Sequence, residues 1–360
     1  MAFAPAAGTL TSMTSHRDPG AVAPGPTVSL DELPPNFYAI PFGVAGLAVA
    51  WRVAESVLST PAVIADALFV IAAALWMVLT GGLLRRLIHR PAEVMRQLGD
   101  AVLSPFMALP AIVALVLAGG LLPHAPSVAK IVALTFVITV VALGGWLTGQ
   151  WIAGELDVTR FHPGYFLPTV AGGLLAANVT ALMGYRTIGW MTFGIGVLCW
   201  LLIGPMILGR LFFAVALPSA LAPTLAIEVA PPAVAGNAYF VLHHGPDDTI
   251  TYILAGYCVL MVLVQLRLVG VYRRLPFAAG FWSFTFSYTA VATYALRWVG
   301  HAHPDDERLL GWVVLVLISS LVLAIALRSI KAIADGTFFP TVVVTPGRHD
   351  LVPNSKELVL

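Results

Sequence analysis

From Leu33 to Ile333 the chain runs as ten apolar stretches separated by short polar joints. They fall at residues 34–54, 61–84, 101–122, 127–152, 164–183, 187–209, 221–242, 249–270, 278–299 and 308–333. A helix needs about 20 predominantly apolar residues to cross hydrocarbon, and these stretches meet that length. Lipid offers no partner to a free backbone N–H or C=O, so runs of this kind read as helices that satisfy their own backbone. Taken in pairs across tight joints, they predict an all-α polytopic membrane protein of ten transmembrane helices arranged as five helical hairpins.

The two members of each hairpin differ in pattern. Pro41 lies in the first span, Pro110 in the third, Pro168 in the fifth and Pro231-Pro232 in the seventh, whereas Pro205 in the sixth is the comparable proline of the even set. Proline removes a backbone donor and clashes with the carbonyl four residues back, which predicts kinks with partnerless carbonyls. Such backbone is tolerated at membrane depth only against protein or a water-filled cavity. The odd spans are therefore expected inside, around a central pore, with the even spans outside them. Gly43 and Gly46, Gly172 and Gly173, and Ala233, Ala235 and Gly236 follow these prolines. Small residues beside kinks leave room for a lumen and equally permit close helix packing; their recurrence from hairpin to hairpin favours the lumen. The ninth span instead carries Phe281-Trp282-Ser283-Phe284-Thr285-Phe286-Ser287-Tyr288. Such rings serve either as core packing or as a hydrophobic plug.

Composition agrees, with 59% hydrophobic and 10% charged residues over 360 positions, a balance far from the soluble average. Residues 1–32, rich in Ala, Pro, Gly, Ser and Thr, read as a disordered N-terminal tail, and residues 334–360, with Pro340, Pro346 and Pro353, as a loosely ordered C-terminal tail with Phe338 and Phe339 near the bilayer surface. The membrane domain spans 33–333. Cys199 and Cys258 fall inside apolar runs and read as packed thiols.

Charge sets orientation. Of the 19 Lys and Arg residues, Arg52, Lys130, Arg186, Arg297 and Arg308 fall on one face and the other 14 on the opposite one, which also carries both termini. The positive-inside rule makes that richer face cytoplasmic, so the chain reads as a multi-pass protein of the cell membrane with both termini in the cytoplasm. The cluster Arg85-Arg86-Leu87-Ile88-His89-Arg90 reads as a topology anchor at the phospholipid surface.

The ionisable groups exclude several chemistries. None of the nine histidines is mid-span, which argues against haem held by paired histidines, and no hydrolase motif lies within the spans. No enzyme activity, cofactor, metal site or nucleic-acid partner is expected. His243-His244 with Asp247-Asp248, and His301 and His303 with Asp305-Asp306, carry metal-ligand types in two loops but match no zinc spacing, and read as solvated loops. Among the acids, Asp66 and Glu228 lie well within predicted spans. Glu228 is either a proton-coupling carboxylate or an interfacial one near the start of span seven, wet by the cytoplasm, and the second is the expected state. A path lined by neutral small residues, Ser and Thr suits anions of low charge.

Three stretches carry a family resemblance: Pro35-Asn36-Phe37-Tyr38 through Gly43, Gly46 and Trp51-Arg52; Tyr165-Phe166-Leu167-Pro168-Thr169-Val170-Ala171; and Pro276-Phe277 with Phe281-Trp282-Ser283-Phe284-Thr285-Phe286. Over about residues 33 to 333 the chain resembles the TehA tellurite-resistance and plant slow-type anion channel family, which includes malate permeases and sulfite exporters. The resemblance implies a homotrimer in which each protomer has its own pore, lined by the five odd helices. A phenylalanine of the ninth helix closes that pore, at Phe286 here with Phe284 as fallback. It also implies passage of small anions such as chloride, nitrate, sulfite or mono-anionic dicarboxylates, with a proton-linked carrier for C4-dicarboxylates or toxic oxyanions as the alternative. Pro41, Gly43, Pro110, Pro168, Pro231 and Pro232 are the expected pore-lining kinks. Gly172-Gly173 stand where bacterial relatives tend to place polar amides, and Glu228 stands near a position that is usually uncharged.

Overall fold

The structure, a computed structural model, describes residues 32–339 apart from 155, 244, 246–248 and 304. The expectations for residues 1–31 and 340–360, and the ligand types at His244, Asp247 and Asp248, lie outside the described residues. Among the described residues the chain is helical, without strands. Eleven α-helices follow in order: α1 Ala39–Leu58, α2 Ala62–His89, α3 Pro91–Gly99, α4 Leu109–Leu121, α5 Pro126–Ala153, α6 Gly172–Leu182, α7 Arg186–Phe213, α8 Ala230–His243, α9 Thr249–Tyr272, α10 Trp282–Ala302 and α11 Glu307–Ala334. The odd spans contain α1, α4, α6, α8 and α10, and the even spans are α2, α5, α7, α9 and α11. Among the described residues nine helical segments are long and apolar enough to cross a membrane by length and composition; the segment containing α10, with its Ser, Thr and Tyr positions, falls outside that set.

Each odd span starts in a different helical geometry from the one in which it ends. The 3₁₀ segments Pro35–Tyr38, Ser104–Ala108, Ala222–Val229 and Ala279–Phe281 lead into α1, α4, α8 and α10. A π-helical turn, Leu167–Ala171, leads into α6. Pro41, Pro110, Pro231 and Pro232 stand in the first turn of their α-helices and Pro168 in the π turn. Proline is tolerated in a first turn, where its missing N–H has no intrahelical partner anyway. The expected kinks are thus joints between helix types, near the middle of the span at Pro110 and Pro231-Pro232 and nearer its start at Pro41 and Pro168.

Neighbouring helices complete the backbone near these joints. Trp76 Nε1 of α2 donates to the Pro110 carbonyl at 2.8 Å, and Gln265 Nε2 of α9 donates to the Leu225 carbonyl at 2.9 Å. The hydroxyls of Tyr272 and Tyr288 donate to Gln265 Oε1 at 2.7 and 3.1 Å, so this buried amide is bonded at both ends. In these two cases an even-span side chain bonds a carbonyl close to a joint, as a dry interior demands, though neither is the carbonyl four residues before a proline.

The inner helices close a ring, α1 beside α4, α4 beside α6, α6 beside α8, α8 beside α10, and α10 back against α1. The even helices sit outside: α2 against α1 and α4, α5 against α4 and α6, α7 against α6 and α8, α9 against α8, and α11 against α10 and α1. Small residues set the inner spacing. A Cβ on Gly43 would overlap the Thr285 hydroxyl, and one on Gly173 would come within 2.8 Å of the Gly196 nitrogen and the Thr192 carbonyl. Close packing, not lumen space, is what these two glycines provide.

Two polar ends of the even helices turn inward. Arg86 is buried and donates to the Leu33 carbonyl at 3.1 Å, and Arg210 is buried and donates to the Thr159 carbonyl at 3.0 Å. Arg86 thus fixes the entry of the first span instead of lying at the lipid surface. Phe338 is likewise not at the bilayer surface: it is buried, with its ring 5.7 Å from that of Phe37, and Phe339 stacks on Phe37 at 6.0 Å.

Candidate functional site

All five inner helices contribute to one cavity of about 690 Å³ at the end of the ring where those helices finish. Phe42, Gly46, Val49 and Arg52 come from α1; Val116 and Gly120 from α4; Leu175 and Asn178 from α6; Val234 and Asn237 from α8; and Phe286, Ala290, Thr293 and Arg297 from α10. Phe69 of α2 also borders it, so one even helix reaches this space.

The narrow end of this vestibule is aromatic. Phe42 and Phe286 are both buried and stack with ring centroids 3.6 Å apart and planes 17° from parallel. Beyond them lies a second, very small pocket of about 10 Å³, lined by Phe166, Val170, Ala171, Leu174, Ile227, Ala230, Pro231, Val234 and Phe286. Phe286 and Val234 border both spaces, so the Phe286 ring lies between them. Phe284, the fallback, borders neither and faces α9, edge-on to Tyr272 at 4.7 Å. Of the six expected kink residues, Pro231 borders the small pocket, while Pro41, Gly43, Pro110, Pro168 and Pro232 border neither space.

Glu228 lies in the 3₁₀ segment before α8 and is buried, at 7% exposure, with Oε1 lacking a hydrogen-bond partner. The expectation of an interfacial carboxylate wet by the cytoplasm is therefore overturned: the segment folds it against the bundle. It borders neither the vestibule nor the small pocket.

Part of the polar chemistry in the vestibule comes from Asn178 and Asn237, which the sequence did not single out, and part from Arg52 and Arg297, which it placed only by charge count and resemblance. Arg52 is bonded to Asp66 and lies 3.2 Å from Glu55, and Asp66 is 2.9 Å from His124 Nε2. Arg297 Nε donates to Asn237 Oδ1 at 3.1 Å, and Asn237 Nδ2 donates to the Ala290 carbonyl at 3.0 Å. Asn178 of α6 adds a second amide. The available signal was a lone asparagine in each of two apolar runs and an arginine two residues inside the predicted end of the ninth span. Among the described residues no group of His, Cys, Asp and Glu is arranged to hold a metal ion.

The ring of five inner helices and the cavity it encloses lie within the part of the chain that known proteins match. The family model described as voltage-dependent anion channel covers residues 32–330. The chain belongs to this family. It is also 28% identical over 264 residues to the tellurite resistance protein TehA homolog of Haemophilus influenzae, an alignment covering 73% of this chain and 80% of that protein. Membership makes it a multi-helix membrane protein of an anion-transport family, one of channels and transporters and not of enzymes. The matched span takes in every inner helix and all of the vestibule residues named above.

Proposed function

We propose that the protein conducts small anions through a pore along the axis of the five inner helices, closed at rest by Phe286. The observation that carries this reading is the position of the Phe286 ring between the 690 Å³ vestibule and the small pocket beyond it. An apolar constriction blocks ions because they must shed water there without replacement ligands. Around it the wall is neutral and small, with Gly46, Ala290 and Thr293, so width and dehydration set selectivity.

On this reading α10 crosses the membrane as the ninth of ten spans; it is among the inner helices, where polar side chains face protein and not lipid. The contact of Phe37 with Phe338 places the start of the first span beside the end of the last, which supports an even number of crossings. With the arginine asymmetry, both ends lie in the cytoplasm of a cell-membrane protein and the vestibule opens outward. The broad apolar faces of the even helices leave room for a homotrimer with one pore per protomer.

The test is flux from liposomes. Phe286→Ala should raise chloride and nitrate flux more than about tenfold, equivalent to about 1.4 kcal/mol off the barrier, while Phe284→Ala should leave it unchanged. A silent Phe286→Ala would sink the channel reading. The second reading, a proton-linked carrier of dicarboxylates or oxyanions, rests on Glu228, since a buried carboxylate without a partner is a natural proton acceptor. It predicts malate uptake that follows a pH gradient and loses that dependence in Glu228→Gln.

A further inference from the structure

Arg52 and Arg297 stand at matched depth in the vestibule but in different electrostatic states. Phe42 and Phe286 stack directly, and at a rise of about 1.5 Å per residue Arg52 lies about 15 Å along α1 from Phe42 and Arg297 about 16 Å along α10 from Phe286. Arg52 is compensated by Asp66 and Glu55. Arg297 has no carboxylate within ion-pair distance among the described residues, although it borders the same cavity.

Its one hydrogen bond there is neutral and orienting. Nε is taken by Asn237 Oδ1, and Asn237 is itself fixed through Nδ2 to the Ala290 carbonyl. The bond leaves both Nη groups without a protein acceptor among the described residues. A guanidinium at membrane depth without a counter-charge is costly unless something supplies one. The free edge is a planar pair of parallel N–H donors, the geometry that fits two oxygens of one planar anion. A single uncompensated charge calls for a single negative charge.

We propose that the vestibule holds a planar mono-anionic oxyanion, a carboxylate or nitrate, bound bidentately on the Nη edge of Arg297. The proposal rests on the channel reading for its role, which is to concentrate such anions outside the Phe286 barrier. The site also predicts a preference for planar oxyanions over spherical chloride, because chloride cannot use both donors at full strength.

The experiment measures binding of sodium nitrate, sodium acetate and sodium chloride, at equal ionic strength, to the purified full-length protein by isothermal titration. The wild type should bind nitrate and acetate at least tenfold more tightly than chloride, and Arg297→Gln should lose that binding. Arg297→Lys keeps the charge and removes the fork, so it should lose the preference while remaining folded; it decides the matter if Arg297→Gln fails to fold. Equal affinity for chloride and nitrate in the wild type, or retained preference in Arg297→Lys, would overturn the site. Nitrate held without acetate, or the reverse, would also overturn it, since the fork serves both. Flux through Phe286→Ala keeps the two readings apart: a silent mutant whose wild-type parent binds nitrate defeats the channel alone, and a conducting one without the preference defeats the site alone.

Discussion

Inner and outer helices of this bundle invert the rule that governs soluble cores. In the first four inner spans 56 to 83% of an apolar 18-residue stretch is buried, against 11 to 28% in the five outer ones, although the outer helices are on the whole the more apolar. Lipid is as apolar as leucine, so hydrophobicity does not draw a membrane helix inward. Position follows from side-chain size and polarity: helices with glycine, alanine, threonine and broken starts go to the centre, where backbone can approach backbone. The outer set keeps continuous α-helices of 24 to 28 residues, with Pro205 of α7 as its interior proline, because its backbone has only lipid on one side.

That contrast can be broken most sharply with glycine. Gly173→Ala places a Cβ within 2.8 Å of α7 backbone, and should destabilise the protein by about 1–3 kcal/mol through overpacking. Gly145→Ala on α5, where nothing lies within 4 Å, should stay within about 0.5 kcal/mol. Unfolding in mixed micelles compares the pair, and equal losses would remove the size argument.

A second test probes how dry the inner ends are. His162, just before the fifth span, is fully buried, accepts from the Gly164 N–H at Nδ1 and donates from Nε2 to the Val102 carbonyl. Burial holds its pKa down to about 4 from the ordinary 6.5. As pH falls through that window the unfolded chain takes up a proton that the folded chain refuses, so stability should fall, by up to about 1.4 kcal/mol per pH unit. Above about 6.5 and below about 4 the contribution should level off, and His162→Gln should flatten it in a melting series over pH. The smallest effect is expected from Phe42→Ala, which removes one ring of the stack and should raise flux by the equivalent of about 0.5–1.5 kcal/mol. Its effect should vanish in a Phe286→Ala background; additive gains would mean that the two rings act separately.

Period, length and proline placement made the hairpins and the inner-outer division legible in the sequence, because membrane thickness and backbone satisfaction leave few alternatives. Helix α3 was not, since nine residues interrupted by Glu93, Arg96 and Gln97 escape a search for spans; its signs were Pro91 at the first position and Glu93 in the first turn. Phe286 was reached through resemblance, while Phe42 stood unnoticed beside Pro41 because its partner lies 244 positions away in sequence. Arg297 was read only as a topology charge: a charge count sees which face an arginine lies near and not whether a carboxylate meets it. Glu228 was misplaced for a similar reason, as distance from a span's edge says nothing about what folds over it.

Phe37, Phe338 and Phe339 bring the two ends of the folded bundle into contact. A bundle whose first and last spans touch has, in effect, no obligatory beginning. Joined by a short linker there and opened instead at the joint between α5 and α6, the same five hairpins should assemble as a circular permutant, with the order of synthesis altered and the ring unchanged.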